Sequence, residues 1–282
     1  MEWSPGDRSD IEDMRGSSGS RVVPLGIGGL IIVALLSWAT GTNFLSNLST
    51  QESAPSQTTG TQGQLATTPQ EERTVDFVDA VTHDVQGMWS ETLGAQYKPT
   101  KVVLFRDAIE SACGSAESAT GPFYCPSDRK VYLDVGFFDE LTKLGGPGDF
   151  AKAYVIAHEL GHHVQHLLGL DASARRGGAT GPHSASVALE LQADCFAGIW
   201  GHAASATGRF KAGHVELEPG DAAQALRAAA AIGDDRLQKM TTGRVMPDAF
   251  THGTSAQRVD AFKRGMDSGE LRACGVSARE SQ

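Results

Sequence analysis

One uncharged run constrains this chain more than any other feature. From Val22 to Ala39 it reads VVPLGIGGLIIVALLSWA, and no charged residue lies between Arg21 and Glu52. About 20 helical residues cross a hydrocarbon core of about 30 Å, so residues 22–41 are expected to form one transmembrane helix. Arg15 and Arg21 precede the run, and no Lys or Arg follows it until Arg73. The positive-inside rule then places the N-terminus in the cytoplasm and everything after the run outside. Trp38, near the far end, suits the membrane interface. Ser37-Trp38-Ala39 also resembles a small-x-small cleavage site. Against a cleaved signal, the 21-residue leader holds five acids and three arginines, a poor n-region. A buried helix in a cytosolic protein is disfavoured by the missing charges and the arginine asymmetry.

The run divides the chain. Residues 1–21 are polar and are expected to form a cytoplasmic tail. Residues 42–72, mostly Ser, Thr, Gln, Gly and Pro from position 46, have too few apolar groups to offset their ordering entropy, so a flexible linker is expected. Residues 73–282 then form one globular domain, without an internal repeat. A 40% apolar content supports a packed core. The 34 acidic against 24 basic residues argue against nucleic acid as a partner.

Val75, Val78, Val81, Val85 and Met88 or Trp89 recur at helical spacing, which predicts a helix over 74–90. Lys101–Arg106 and Lys130–Asp134 read as strands. A short helix over 137–144 ends at the breaker Gly145-Gly146-Pro147-Gly148. Asp149 is a candidate N-cap for a long helix from Phe150 to Leu168, stopped by Gly169. A second long helix is expected from Ser184 to Ala206, followed by helices over 221–231 and 255–267. Strands early and helices late give an α+β class, mostly helical with a small sheet.

The first long helix carries His158-Glu159-Leu160-Gly161-His162, an HExxH pattern. Residues i and i+4 share a helix face, so both imidazoles can reach one Zn²⁺. Glu159, one step round, can act as general base on a water that the zinc activates, without ligating the metal. Tyr154, Val155 and Ile156 lead into the motif, so it lies on an apolar helix and not in a polar tract. His163 points to another face. His162 and His166 form a rival i, i+4 pair, but no glutamate follows its first histidine.

A catalytic zinc site needs a third protein ligand and an open position. The HExxHxxGxxH continuation is absent, since Gln165 and Leu168 hold its last two positions. Glu190, in Glu190-Leu191-Gln192-Ala193-Asp194, is the better third ligand. Asp194, on the same helix face, can accept a hydrogen bond from a zinc histidine and fix its tautomer. Two unpaired carboxylates on this otherwise apolar helix would be costly to bury. His183 is a weaker rival for the third ligand.

HELGHHVQ followed by ELQADCFAGIW resembles the putative neutral zinc metallopeptidase family of bacterial envelope proteins. GPFYCPSDRKVYLD, AIGDDRLQ and THGTSAQRVDAFKRG extend the resemblance over about residues 74–274. It implies a zincin-like (gluzincin) domain with one zinc per chain, hydrolysing a peptide or protein substrate at the outer side of a membrane. A non-catalytic zinc scaffold, or a hydrolase of a non-peptide amide such as a cell-wall cross-link, is the alternative. His252, in a polar turn inside one of these stretches, is the candidate donor to the oxyanion. Lys130–Asp134 is expected to be an edge strand that pairs with substrate, with Tyr132 lining the cleft or buried in the sheet. Cys113 and Cys125 flank a Gly/Ser/Ala-rich loop and could form a disulfide. Cys195 and Cys274 would then pair, although four cysteines allow three connectivities. Nothing in the sequence speaks to oligomeric state.

Overall fold

The computed structural model describes residues 1–16, 67–174, 178–210 and 214–277. The apolar run 22–41, and the linker as far as residue 66, lie outside the described residues. Among the described residues no helix is long and apolar enough to cross a membrane. Residues Met1–Gly16 cluster with the chain from Thr67 onward in one compact unit.

The first helix, α1, spans Pro69–Leu93. It starts earlier than the valine periodicity indicates and takes in the last four residues assigned to the linker. Thr68 caps it by accepting from the Glu71 amide at 3.2 Å, and Pro69 supplies a first-turn residue that has no N–H to satisfy. Its apolar face buries Val75, Val78, Val81, Val85 and Trp89.

The main sheet contains β1 (Ile11–Asp13), β2 (Val102–Phe105), β5 (Phe123–Cys125) and β6 (Lys130–Asp134) in the order β1-β2-β6-β5. The first three in that order are parallel, and β5 runs antiparallel to β6. Lys130–Asp134 is therefore an interior strand, and the expectation of an edge strand there is corrected. The edges are β1 and β5, and β5, next to β6, is a three-residue strand too short to show a period in sequence. One sheet face sends Val102, Leu104, Val131 and Leu133 into the helical core. The other buries Val103, Phe105, Cys125 and Tyr132 with Ile109 and Met14. Ile109 comes from a hairpin of β3 (Ala108–Ser111) and β4 (Gly114–Glu117). Tyr132 stacks on Phe123 at 4.9 Å and donates to Asp128 at 2.7 Å, so it is a sheet aromatic and not a cleft residue.

Residues 1–16 are not a separate tail. β1 pairs Ile11 with Val102 and Asp13 with Leu104, while Trp3 packs edge-on against Phe77 of α1 at 5.3 Å. Polar residues of the segment expected to form a cytoplasmic tail are matched to α1. Arg8 pairs with Glu72 and Asp76, each at 2.7 Å, and the Asp10 carboxylate accepts from Gln86 at 2.9 Å.

After β6 come α2 (Phe137–Lys143), α3 (Asp149–Leu167), α4 (Leu170–Ala174), α5 (Ala185–Ala204), α6 (Asp221–Ala231), α7 (Asp234–Thr242) and α8 (Ser255–Ser268). The N-cap of α3 is Gly148, at φ 104°, so Asp149 is its first helical residue and not its cap. Ser184 caps α5 by accepting from the Val187 amide at 3.2 Å. Helices α5 and α8 cross with backbones in contact at Gly198 and Gly265. A Cβ on Gly265 would strike the Cys195 carbonyl oxygen, and one on Gly198 would strike that of Phe262. The disulfides are Cys113–Cys125 and Cys195–Cys274, which selects one of the three connectivities. The first ties the β3–β4 turn to β5, and the second ties α5 to the C-terminal segment.

Candidate metal centre

Helices α3 and α5 bring His158, His162 and Glu190 together, with one donor atom from each inside a 4.8 Å cluster. His158 Nε2 lies 3.2 Å from Glu190 Oε2, and His162 Nε2 lies 3.5 Å from Glu190 Oε1. Among the described residues this is the one such grouping of three or more His, Cys, Asp or Glu side chains. His166 instead meets Asp171 at 3.0 Å, and His183 is exposed and outside the cluster. His163 is buried between the Tyr124 hydroxyl at 3.0 Å and the Lys98 carbonyl at 2.6 Å. Burial pushes its imidazole down to about 4, so it stays neutral.

The far nitrogens of the two histidines are both held. His158 Nδ1 donates to Asp194 Oδ1 at 2.8 Å, and His162 Nδ1 donates to Gln165 Oε1 at 2.8 Å. Gln165 is itself anchored, donating from Nε2 to the Leu189 carbonyl at 2.7 Å. With each Nδ1 carrying the proton, each Nε2 is a bare acceptor aimed at a carboxylate. Two acceptors 3.2 Å apart repel unless a cation or proton lies between them. Two imidazoles and one carboxylate form a set that suits Zn²⁺ with a position left open. The residues present therefore fit the metal that the HExxH pattern implies. Burial opposes charge on His158, but the Asp194 and Glu190 carboxylates outweigh it and raise the imidazole to about 10. The cluster thus calls for positive charge at this point.

Asp194 is fully buried and saturated. Besides His158 it accepts from Tyr154 Oη at 2.5 Å and from Arg258 Nε and Nη2 at 2.9 Å each. Burial would raise this carboxyl, but Arg258 and His158 hold it well below the usual carboxylate range. Arg258, on α8, is 2% exposed and was not singled out from sequence. A signal for it existed. Arg258, Ala261, Phe262 and Gly265 are the buried positions of α8, so a cation holds a core position of an amphipathic helix.

Glu159 and His252 both line one cavity of about 720 Å³, together with the donor cluster, Arg258, and Phe123 and Tyr124 of β5. The imidazole of His252 is oriented by Thr251 Oγ1 at 2.8 Å and Asp234 Oδ1 at 3.3 Å, both on Nδ1. The Thr251, His252 and Gly253 amides all donate to Asp234 Oδ2, which fixes the turn. Asp234 was not singled out in sequence either, although it lies within the AIGDDRLQ stretch. Its hydrogen bond raises the His252 imidazole above its ordinary value, against the effect of burial.

A family profile described as "Putative neutral zinc metallopeptidase" matches residues 1–276. The chain belongs to this family. The uncharacterized protein YpfJ of Escherichia coli (strain K12) is 43% identical over 292 residues, covering 97% of this chain and 98% of that protein. The uncharacterized protein Rv2575 of Mycobacterium tuberculosis (strain ATCC 25618 / H37Rv) is 44% identical over 202 residues, covering 70% of this chain and 68% of its own. No solved structure matches this chain.

Proposed function

We propose that this protein is a zinc-dependent endopeptidase. His158, His162 and Glu190 hold one zinc ion, Glu159 is the general base, and His252 donates to the developing oxyanion. One observation carries the reading. A glutamate that is no part of the donor cluster sits directly beside the first histidine and opens with it into a cavity. A purely structural zinc site has no need of such a base and is normally closed by a fourth protein ligand.

When bound, zinc would polarise a carbonyl and acidify a water molecule. The chain's own residues do the rest. The Glu159 carboxylate takes a proton from the attacking water and returns it to the leaving amide nitrogen. His252, with Nδ1 engaged by Thr251 and Asp234, offers Nε2 to the substrate oxygen as negative charge develops. Asp194 and Gln165 hold the two metal histidines in one tautomer throughout. Because β5 is a sheet edge that lines the cavity, its outward N–H and C=O groups can pair with an extended peptide. That favours cleavage inside a chain.

The test is metal analysis and peptide-library cleavage with the full-length protein, alongside Glu159→Gln. One zinc per chain, cleavage by the wild type, and loss of about 10²–10⁴-fold in kcat with zinc retained in the variant are expected. Zinc without cleavage of any peptide or cell-wall substrate would favour a scaffold. Purification without metal, and no activity on adding zinc, would overturn the proposal.

A further inference from the structure

The packing of residues 1–16 constrains the topology of everything between them and α1. β1 is hydrogen-bonded to β2 through three residue pairs, and the Met14 amide donates to the Leu104 carbonyl at 2.8 Å. The next residue, Arg15, is buried. Its guanidinium reaches Asp13 at 2.7 Å, Glu72 at 2.9 Å and Glu71 at 3.5 Å. Glu71 and Glu72 lie in the first turn of α1, which begins at Pro69. Arg15 and the first turn of α1 are therefore neighbours. The 50 residues 17–66 are inserted in the sequence between these two neighbouring segments of one compact unit.

A single crossing by residues 22–41 would put residues 1–16 and residues 67–282 on opposite sides of the bilayer. β1 could not then pair with β2. A return crossing would have to use residues 42–66. That stretch is rich in Ser, Thr, Gln and Gly and contains Glu52, so it has no second apolar span to satisfy its backbone in hydrocarbon. Cleavage after Ala39 fails for a related reason. It would discard β1 and leave Glu71, Glu72 and Asp76 of α1 without Arg8 and Arg15. The arginine asymmetry also loses force, because Arg15 is held in ion pairs by the fold. The matched family profile begins at residue 1, so these residues are within the pattern shared by the family.

We propose that residues 1–16 are a strap integral to the domain and stay on the same side of the membrane as residues 67–282. Residues 22–41 are then neither a single-pass anchor nor a cleaved signal. This revises the topology expected from the run alone and does not depend on the catalytic reading.

The test uses thiol labelling of the full-length protein. The four cysteines are all in disulfides, so an introduced cysteine is the reactive thiol. Ser4→Cys reports the strap and Met240→Cys, at a residue 58% exposed, reports the domain. Both lie on the surface and leave the core intact. Sealed cells are treated with a membrane-impermeant maleimide, before and after lysis. Labelling of both sites in sealed cells, or protection of both until lysis, is expected. Labelling of one and protection of the other would overturn the proposal. Mass spectrometry of the mature protein should recover the peptide containing residues 2–16. A mature chain beginning after Ala39 would also overturn it.

Discussion

Arg258 donates through Nε and Nη2 to the two oxygens of Asp194, each at 2.9 Å, across 64 residues of sequence. The same carboxylate holds His158 Nδ1. His158, a zinc ligand in the function proposed above, is therefore oriented by an ion pair formed between α5 and α8. Breaking a buried pair from one side leaves a charge without compensation, at a cost of about 3–5 kcal/mol. Asp194→Asn is expected to lose stability on that scale in urea. It should also weaken zinc binding by about 10–100-fold in chelator competition. The double change Asp194→Leu/Arg258→Met should regain stability but not zinc affinity, which separates the two roles of the carboxylate.

His252 is expected to matter for turnover and not for metal. His252→Ala should lower kcat by about 10²–10³-fold, the usual cost of losing one oxyanion donor, with one zinc per chain retained. Unchanged kcat would remove it from the mechanism. Asp234→Asn should act more mildly on kcat but more strongly on stability. Three backbone amides converge on Asp234 Oδ2, and only part of its function is to orient the imidazole.

The two disulfides should differ in worth. Loop-closure entropy gives about 3 kcal/mol for the Cys113–Cys125 pair, which is 12 residues apart, and about 4.5 kcal/mol for Cys195–Cys274, 79 apart. Replacing each pair by alanines and measuring Tm should reproduce that order. The Cys195 pair should also be the one that alters zinc retention, since it secures α5, which carries Glu190.

The strap should loosen in acid. Hydrogen bonding to Arg15 depresses Asp13, while Arg106 depresses Glu71 and Arg8 depresses Glu72. Carboxyls depressed in the folded state stabilise above their unfolded values, at about 4, and that contribution is lost as pH falls through the folded values. Asp79, raised by burial, acts in the opposite sense but is one group against three. Amide exchange at Ile11–Asp13 is therefore expected to stay protected from about pH 8 to pH 5 and to lose protection below about pH 4. Protection that persists at lower pH would show that backbone pairing alone holds the strap.

The long helices were legible because their periodicity and caps are local. Asp221–Ala231 has the bounds read from sequence, and the others differ by a few residues. The HExxH and ExxxD spacings brought out His158, His162, Glu190 and Asp194, because helical geometry converts spacing directly into a shared face. What sequence did not show is non-local. β1 and β5 have three residues each and gain their identity from partners, Val102–Leu104 in one case and Lys130–Tyr132 in the other. Arg258 and Asp234 act through contacts with residues that spacing cannot predict. The composition of residues 1–21 read correctly as polar. It could not reveal that the matching charges lay on α1, beyond the apolar run.

The distance between Arg258 and the HExxH helix has a consequence in time. Translation delivers His158, Glu159 and His162 well before α8 exists. Until Arg258 emerges, Asp194 has no guanidinium to meet and the His158 imidazole has no fixed tautomer. The Cys195–Cys274 bond waits still longer, for a cysteine in the last described turn. The full set of contacts around His158 is therefore complete only when the final tenth of the chain has been made. For the peptidase proposed above, that order would keep an ordered site away from the machinery that produces it.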